Sequence, residues 1–196
     1  MEEFMTTDNT NPFIANLVDD FNKVQELLLP VEPTTAQNLS VHLTKILILA
    51  CASFYEQQLQ SAYIKYADRE ALKYGTKPHS FNIDKKDKSV YQKFSFGKIE
   101  DPKDLNELPD IKRMLKPLRA FGEAFGQQVY EEINGNEEKE KQLKAFQEMF
   151  AIRNLIAHHT FVEFASDGIR GKSFLDIKNM HEEALKFVDY LKEKFS

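Results

Sequence analysis

The sequence predicts an all-α fold, a bundle of about five or six helices formed by residues 1–196 as a single domain. Apolar residues recur every three or four positions through most of the chain, which is the spacing of one helix face. Residues that cap or break helices separate these stretches. Hydrophobic residues make up 42% of the chain and include 16 Phe and 7 Tyr, a composition that supplies one core and excludes a disordered chain.

The first helix is predicted between residues that can begin a helix and residues that can end one. Asn11 can cap it, with Pro12 in its first turn. Pro30 and Pro33 are expected to end it, because proline cannot donate a backbone hydrogen bond inside a helix. Its apolar stripe is predicted to comprise Phe13, Leu17, Phe21, Val24 and Leu28.

The second helix is predicted to be long and central. Thr34 or Thr35 can cap it, and it should end near Gly75. Its middle is apolar nearly all round, which favours a place at the centre of the bundle. Cys51 lies in this apolar run and is the chain's one cysteine, so we expect a buried thiol and a reducing compartment.

The middle of the chain divides into a connection and a third long helix. Residues 76–108 contain prolines and a charged run, which predict a surface connection with one short helix around residues 90–94. Helical spacing resumes over residues 110–134, with a kink expected at Pro117 and a C-cap at Gly135.

The next helix carries the residues that suggest chemistry. Asn136 or a neighbour can cap it. Its apolar stripe comprises Leu143, Phe146, Phe150 and Ile152. Residues 161–168 are then expected to form a loop or small hairpin, and residues 176–195 a last amphipathic helix.

Charge and targeting signals restrict the classes of function. The formal net charge of −5 argues against a protein that coats nucleic acid by broad phosphate neutralisation. The acidic amino terminus is unlike a secretory signal, and we expect no stretch long and apolar enough to span a membrane. These features predict a cytoplasmic protein without a membrane partner.

One polar constellation stands out among the motifs. The chain lacks a glycine-rich phosphate loop, an HExxH helix, paired cysteine ligands and a GxSxG elbow. It does contain Arg153 followed by Asn154, with His158 five positions after the arginine and His159 directly behind. We predict no metal and no cofactor at this site. His159 is either a second phosphate contact or a solvent-facing neighbour.

Helix geometry indicates what these residues could do together. Asn154 and His158 are four apart and share a face, so the amide can orient the imidazole. Arg153 lies about 140° around the axis from His158, which separates the two side chains. Either the last turn unwinds at His158, or a second copy in a symmetric dimer supplies the complementary group. A guanidinium can then bind a phosphodiester while a histidine accepts a ribose hydroxyl proton.

A supporting carboxylate is predicted upstream. Glu56 lies in a largely apolar helix, where an unpaired charge is costly, and Arg153 is the candidate partner beside other salt bridges or a helix-surface position. His42, His79 and His181 have no partners at metal-ligand spacing, so we expect ordinary helix or loop residues there.

Residues 153–158 (RNLIAH) look like the Arg-x4-6-His motif of the HEPN superfamily, with Asn in the favoured position after Arg. Residues 49–56 (LACASFYE) are similar to the early apolar helix of that superfamily, which ends in an acidic residue. Residues 121–126 (FGEAFG) resemble the segment that precedes the motif helix in the RiboL-PSP-type branch. The likeness extends over roughly residues 40–165, and only the Arg-Asn-x3-His part is specific.

The resemblance implies a HEPN-like bundle and a dimeric, metal-independent endoribonuclease that acts on RNA and leaves 2′,3′-cyclic phosphate ends. It also implies a role in toxin-antitoxin or phage-defence systems, where an antitoxin or a nucleotidyltransferase would be a partner. Two alternatives use the same residues. One is a non-catalytic module that binds nucleotide or RNA or regulates a partner protein, and the other is a helical dimer stabilised by an Arg-Asn-His network.

Overall fold

The computed structural model describes residues 11–73, 123–158 and 171–196, and within these ranges the fold is all-α. Its five α-helices are α1 (Pro12–Lys23), α2 (Pro33–Lys73), α3 (Glu123–Ile133), α4 (Glu137–His158) and α5 (Phe174–Phe195). One π-helical turn, Val24–Leu28, continues α1. The described residues contain no strand. The predicted fold class is therefore confirmed.

The start of α1 follows the sequence prediction, and its buried face differs from the prediction at Phe13. The Asn11 side chain accepts a hydrogen bond from the Phe13 amide at 2.9 Å, and Pro12 lies in the first turn. Phe13 itself is 55% exposed, whereas Ile14 and Leu17 are buried. The predicted stripe is confirmed at Leu17, which is buried, and at Phe21, which packs against the core. It was wrong at Phe13, because the core side of α1 begins at Ile14, from which Leu17 and Phe21 follow at helical spacing.

The end of the first helix agrees with the prediction, and the start of α2 does not. The π-helical turn carries one extra residue per hydrogen bond, and neither Val24 nor Leu28 in it is buried. α2 then begins at Pro33, so neither threonine caps it. The first helix, with its π-helical turn, ends before Pro30, as predicted. The predicted threonine cap of α2 was wrong because the first position of a helix needs no backbone amide and favours the fixed φ angle of proline.

The turns around α4 and α5 agree more closely with the sequence. Gly135 adopts a φ of +82°, a left-handed conformation that favours glycine after a helix. The Asn136 side chain accepts from the Lys139 amide at 3.1 Å and caps α4 as predicted. α5 begins at Phe174, two residues before the predicted start, because Ser173 and Asp176 form a reciprocal capping box.

α2 occupies the predicted central place, since it packs against α1, α4 and α5. α4 and α5 also pack against each other. The buried apolar side chains that these three long helices share include Leu47, Ile48, Cys51, Tyr55, Leu59, Leu143, Phe146, Met149, Phe150, Ile152, Phe187, Val188 and Leu191. The stripe predicted for α4 is therefore confirmed, and Cys51 is the buried thiol expected from sequence.

A polar contact crosses this apolar core. The Tyr55 hydroxyl lies 2.6 Å from Nδ1 of His181, and it also donates to the His181 carbonyl at 3.3 Å. Tyr55 is fully buried and His181 is 7% exposed. Burial lowers the pKa of His181 and raises the pKa of the Cys51 thiol, a neighbour of Tyr55, to about 12. His181 is thus a buried link between α2 and α5.

α2 is also long and apolar enough to cross a membrane. Pro33–Tyr66 contains an 18-residue window with a mean hydropathy of 1.3, of which 39% is buried inside the bundle. This corrects the expectation that no stretch meets such a test. Core helices of soluble proteins pass the same test, and α2 packs against three other helices. The absence of a membrane partner stays a prediction.

Several predicted features lie outside the described residues. They are the surface connection at 76–108 with its short helix, His79, the kink at Pro117, His159 and the loop or hairpin at 161–168.

We expect the free energy of unfolding to decrease as the pH falls from about 7.5 to about 5, in part through His181. The folded pKa is below the ordinary value of 6.5, so the unfolded chain binds the proton first. The contribution of neutral His181 to the free energy of unfolding is therefore complete above pH 6.5. It is lost as the pH falls through the lower pKa of the folded protein. Urea unfolding at several pH values measures this change, and His181→Gln, which does not titrate, should reduce the slope. An identical slope in the variant would contradict the assignment.

Candidate active site

Arg153 and Glu56 form an ion pair between α4 and α2. The Nη2 atom of Arg153 lies 3.6 Å from Oε2 of Glu56. The side chains are 29% and 26% exposed, respectively. The pairing predicted from sequence is therefore present, and it joins the two helices at a place that a solute can reach.

Asn154 holds the same guanidinium from its own helix. Its Oδ1 atom accepts a hydrogen bond from Nη1 of Arg153 at 3.0 Å, and the residue is 7% exposed. The sequence predicted that this amide would orient His158. The described contact of Oδ1 is with Arg153. The predicted contact with His158 involves a side chain outside the described residues and stays a prediction. One terminal nitrogen of Arg153 thus pairs with a carboxylate, and the other donates a hydrogen bond to an amide oxygen.

His158 is the last residue of α4. The backbone stays α-helical up to that residue, so no unwound turn separates it from Arg153. Positions 153 and 158 therefore lie about 140° apart around the axis and about 7.5 Å apart along it. The side chain of His158 and all of His159 lie outside the described part of the chain.

The packing of aromatic side chains places Arg153 beside Glu56. The Tyr55 ring lies 5.8 Å from that of Phe146 and 6.3 Å from that of Phe150. Tyr55 immediately precedes Glu56, and Phe150 is one helical turn before Arg153. Because these rings fix how α2 sits on α4, they also fix the distance across the ion pair.

This arrangement suits recognition of an anion. A guanidinium carries five N–H donors in a planar fork. In Arg153, Nη1 donates a hydrogen bond to Asn154, and Nη2 lies at ion-pair distance from Glu56. The fork is thereby held in one orientation before any ligand arrives, which lowers the entropy cost of binding. Carboxylate and phosphate groups are the anions whose geometry such a fork matches.

Metal-ligand clusters and buried polar residues complete the description of the polar groups. In residues 11–73, 123–158 and 171–196, no group of three or more His, Cys, Asp or Glu side chains is placed to hold a metal ion. Sequence reasoning missed two features of the α2 core: the role of Tyr55 as a partner of His181, and the full burial of Lys45. A lone lysine within an apolar run was the available signal for Lys45.

Comparisons with known proteins agree with the resemblance seen in residues 153–158. A family model described as RiboL-PSP-HEPN matches residues 15–196, which include Glu56 and all of α2 to α5. No curated protein and no solved structure matches the chain.

We expect the Glu56–Arg153 pair to contribute a measurable coupling energy of about 0.3 to 1 kcal/mol, since both side chains are about a quarter exposed. A double-mutant cycle with Glu56→Gln and Arg153→Gln, followed by urea unfolding, measures it. The more exposed Lys178–Glu182 pair on α5 is the matched control and should couple more weakly. A Glu56–Arg153 coupling of zero would contradict the view that Glu56 holds the guanidinium.

Proposed function

The chain belongs to the RiboL-PSP-HEPN family, and from this premise we propose that it is an endoribonuclease that cleaves RNA without a metal ion. A HEPN domain is a nuclease-like or RNA-related module. The observation that carries the proposal is the oriented guanidinium of Arg153, held by Glu56 and Asn154 on the helix that ends at His158.

Arg153 is proposed to bind the scissile phosphate. Its fork can donate two parallel hydrogen bonds to phosphate oxygens and stabilise the negative charge that develops on them. Glu56 and Asn154 act as positioning residues, because they contact the guanidinium rather than the RNA. The charge of Glu56 also offsets that of Arg153 in the absence of RNA, so the site attracts anions only at close range.

His158 is proposed to transfer the proton. In its neutral form the imidazole accepts the proton of a ribose 2′-hydroxyl, and the 2′-oxygen then attacks the adjacent phosphorus. The bond from phosphorus to the 5′-oxygen breaks, and that oxygen takes a proton from an imidazolium. The products are a 2′,3′-cyclic phosphate and a free 5′-hydroxyl end, and no redox partner is needed.

A second copy of the chain would bring an arginine and a histidine together although the two positions point in different directions on one helix. The positions of Arg153 and His158 are about 140° apart on one continuous helix, so a single phosphodiester cannot readily lie between both side chains of one copy. Two copies related by a twofold axis would place the arginine of one beside the histidine of the other. We therefore propose a homodimer with the site in its cleft. An antitoxin or nucleotidyltransferase partner and a role in defence remain further proposals from the resemblance.

The proposal is tested with purified protein, single-stranded RNA or total tRNA, and EDTA. Wild type should cleave, and His158→Ala should lower the rate by about 10² to 10⁴, the usual contribution of a general acid or base. Arg153→Lys keeps the charge and loses the fork, so it should also cleave more slowly. Arg69→Ala is the matched control, since Arg69 contacts the Phe195 carbonyl and should leave cleavage unchanged.

Two results would contradict the proposal. One is an absence of cleavage at high concentrations of wild type, and the other is equal cleavage by His158→Ala, which would identify a contaminating nuclease. RNA binding by wild type without cleavage would instead favour a non-catalytic binding module.

A further inference from the structure

The turn between α1 and α2 presents three large apolar side chains to solvent. Leu27 is 67% exposed, Leu29 is 41% exposed and Val31 is 76% exposed. Eight large hydrophobic side chains are exposed in the described residues, and these three fall within five positions. Single exposed apolar residues are ordinary on a protein surface, whereas a contiguous group marks a place where another molecule binds. We call Leu27, Leu29 and Val31 the apolar tip.

The fold does not require apolar residues at this turn. Connections between helices lie at the surface, where glycine, asparagine, aspartate and serine are the usual residues. The side chains of the apolar tip do not belong to the core cluster or to the residues packed against it. Packing within the described part of the chain therefore does not explain their chemistry.

Backbone hydrogen bonds hold the apolar tip in one shape. The Leu29 amide donates to the Val24 carbonyl at 3.1 Å, which continues the pattern of the π-helical turn. The Leu28 carbonyl accepts from the Val31 amide at 3.1 Å and from the Glu32 amide at 2.8 Å. Such an ordered surface loses little conformational entropy when it binds. Short π-helical segments are also frequent at functional sites.

A side-chain hydrogen bond fixes the same turn to α2. Nε2 of Gln25 donates to Oγ of Ser40 at 2.9 Å, and this hydroxyl donates to the Ala36 carbonyl at 2.8 Å. The apolar tip is therefore held on the first turns of the longest helix.

Acidic residues surround the apolar tip. Glu26 and Glu32 flank it directly in the chain, and both are exposed. Residues 11–44 contain four acidic residues and one basic residue, Lys23, which is paired with Asp20. This segment thus carries a net charge of −3 (one basic minus four acidic), out of −5 for the whole chain. Electrostatic complementarity favours a partner with positive charge around an apolar contact.

The acidic surroundings argue against three other occupants of the apolar tip. A second copy that met it across a twofold axis would bring Glu26 and Glu32 of both chains together, and these like charges repel. RNA phosphates and anionic lipid headgroups would be repelled by the same carboxylates. A protein with a basic contact surface meets no such repulsion.

We propose that the apolar tip inserts into an apolar pocket of a partner protein, and that lysine or arginine residues around this pocket pair with Glu26 and Glu32. The contact is separate from the site at Arg153, because Pro33 and Glu56 lie about 35 Å apart along α2 (23 × 1.5 Å). The chain therefore has a protein-binding surface in addition to its candidate active site.

Selection of binders from a library tests the proposal. The probe is a display library of small three-helix domains with one randomised surface, selected on the full chain. Most selected domains should bind the Leu27→Ser/Val31→Ser variant at least about tenfold more weakly, since buried apolar anchors carry much of the binding free energy at an interface. Leu72→Ser is the matched control, because Leu72 is 63% exposed at the far end of α2 and its replacement should leave binding unchanged.

The composition of the selected surfaces tests the chemistry of the partner. They should contain more lysine and arginine beside apolar residues than the unselected library does. Glu26→Gln/Glu32→Gln should make the association rate constant of these domains less dependent on salt concentration. Enrichment of acidic residues, or full binding to the Leu27→Ser/Val31→Ser variant, would overturn the proposal.

Sedimentation and vesicle flotation test the other occupants. The Leu27→Ser/Val31→Ser variant should sediment like wild type, and neither should float with vesicles of phosphatidylcholine and phosphatidylglycerol. A smaller species in the variant would assign the apolar tip to a contact between copies, and flotation of wild type alone would assign it to a membrane. Either result would contradict the proposal. Circular dichroism verifies that the helices are retained, and Val31→Ser alone replaces the double variant if they are not.

Discussion

The packing of Tyr55 between α4 and α5 is the constraint on which the described structure depends. Its ring contacts Phe146 and Phe150, and its hydroxyl meets His181. One residue therefore fixes the central helix against both of its long neighbours. Because the site is built from the residues that follow, Glu56 on α2 and Arg153 one turn beyond Phe150, an error in this packing would move the carboxylate away from the guanidinium.

The same packing determines how a single copy presents positions 153 and 158 of α4. It presents an arginine that is already oriented and partly exposed, with its charge offset by Glu56. It does not bring positions 153 and 158 to one side of α4, because the helix is continuous to its last residue. In the proposed homodimer, the histidine of a second copy would lie beside this arginine.

Local signals in the sequence predicted most of the described elements. The cap at Asn136 depends only on neighbouring residues, and apolar spacing identified α4 and α5. The predicted threonine cap of α2 was wrong because a proline can begin a helix as well as end one. The Tyr55–His181 contact joins residues 126 positions apart, so no local pattern could reveal it. The Glu56–Arg153 pair was within reach because an unpaired carboxylate in an apolar helix needs a partner.

The central claim is that an arginine and a histidine from two copies act on one phosphodiester. Mixing two variants that are each inactive, Arg153→Ala and His158→Ala, tests it most directly. If the site is shared between copies, half of the randomly formed dimers contain one intact arginine–histidine set, and about a quarter of wild-type RNA cleavage should return. If both variants form dimers and exchange subunits but the mixture stays inactive, while wild type cleaves, the shared site is contradicted.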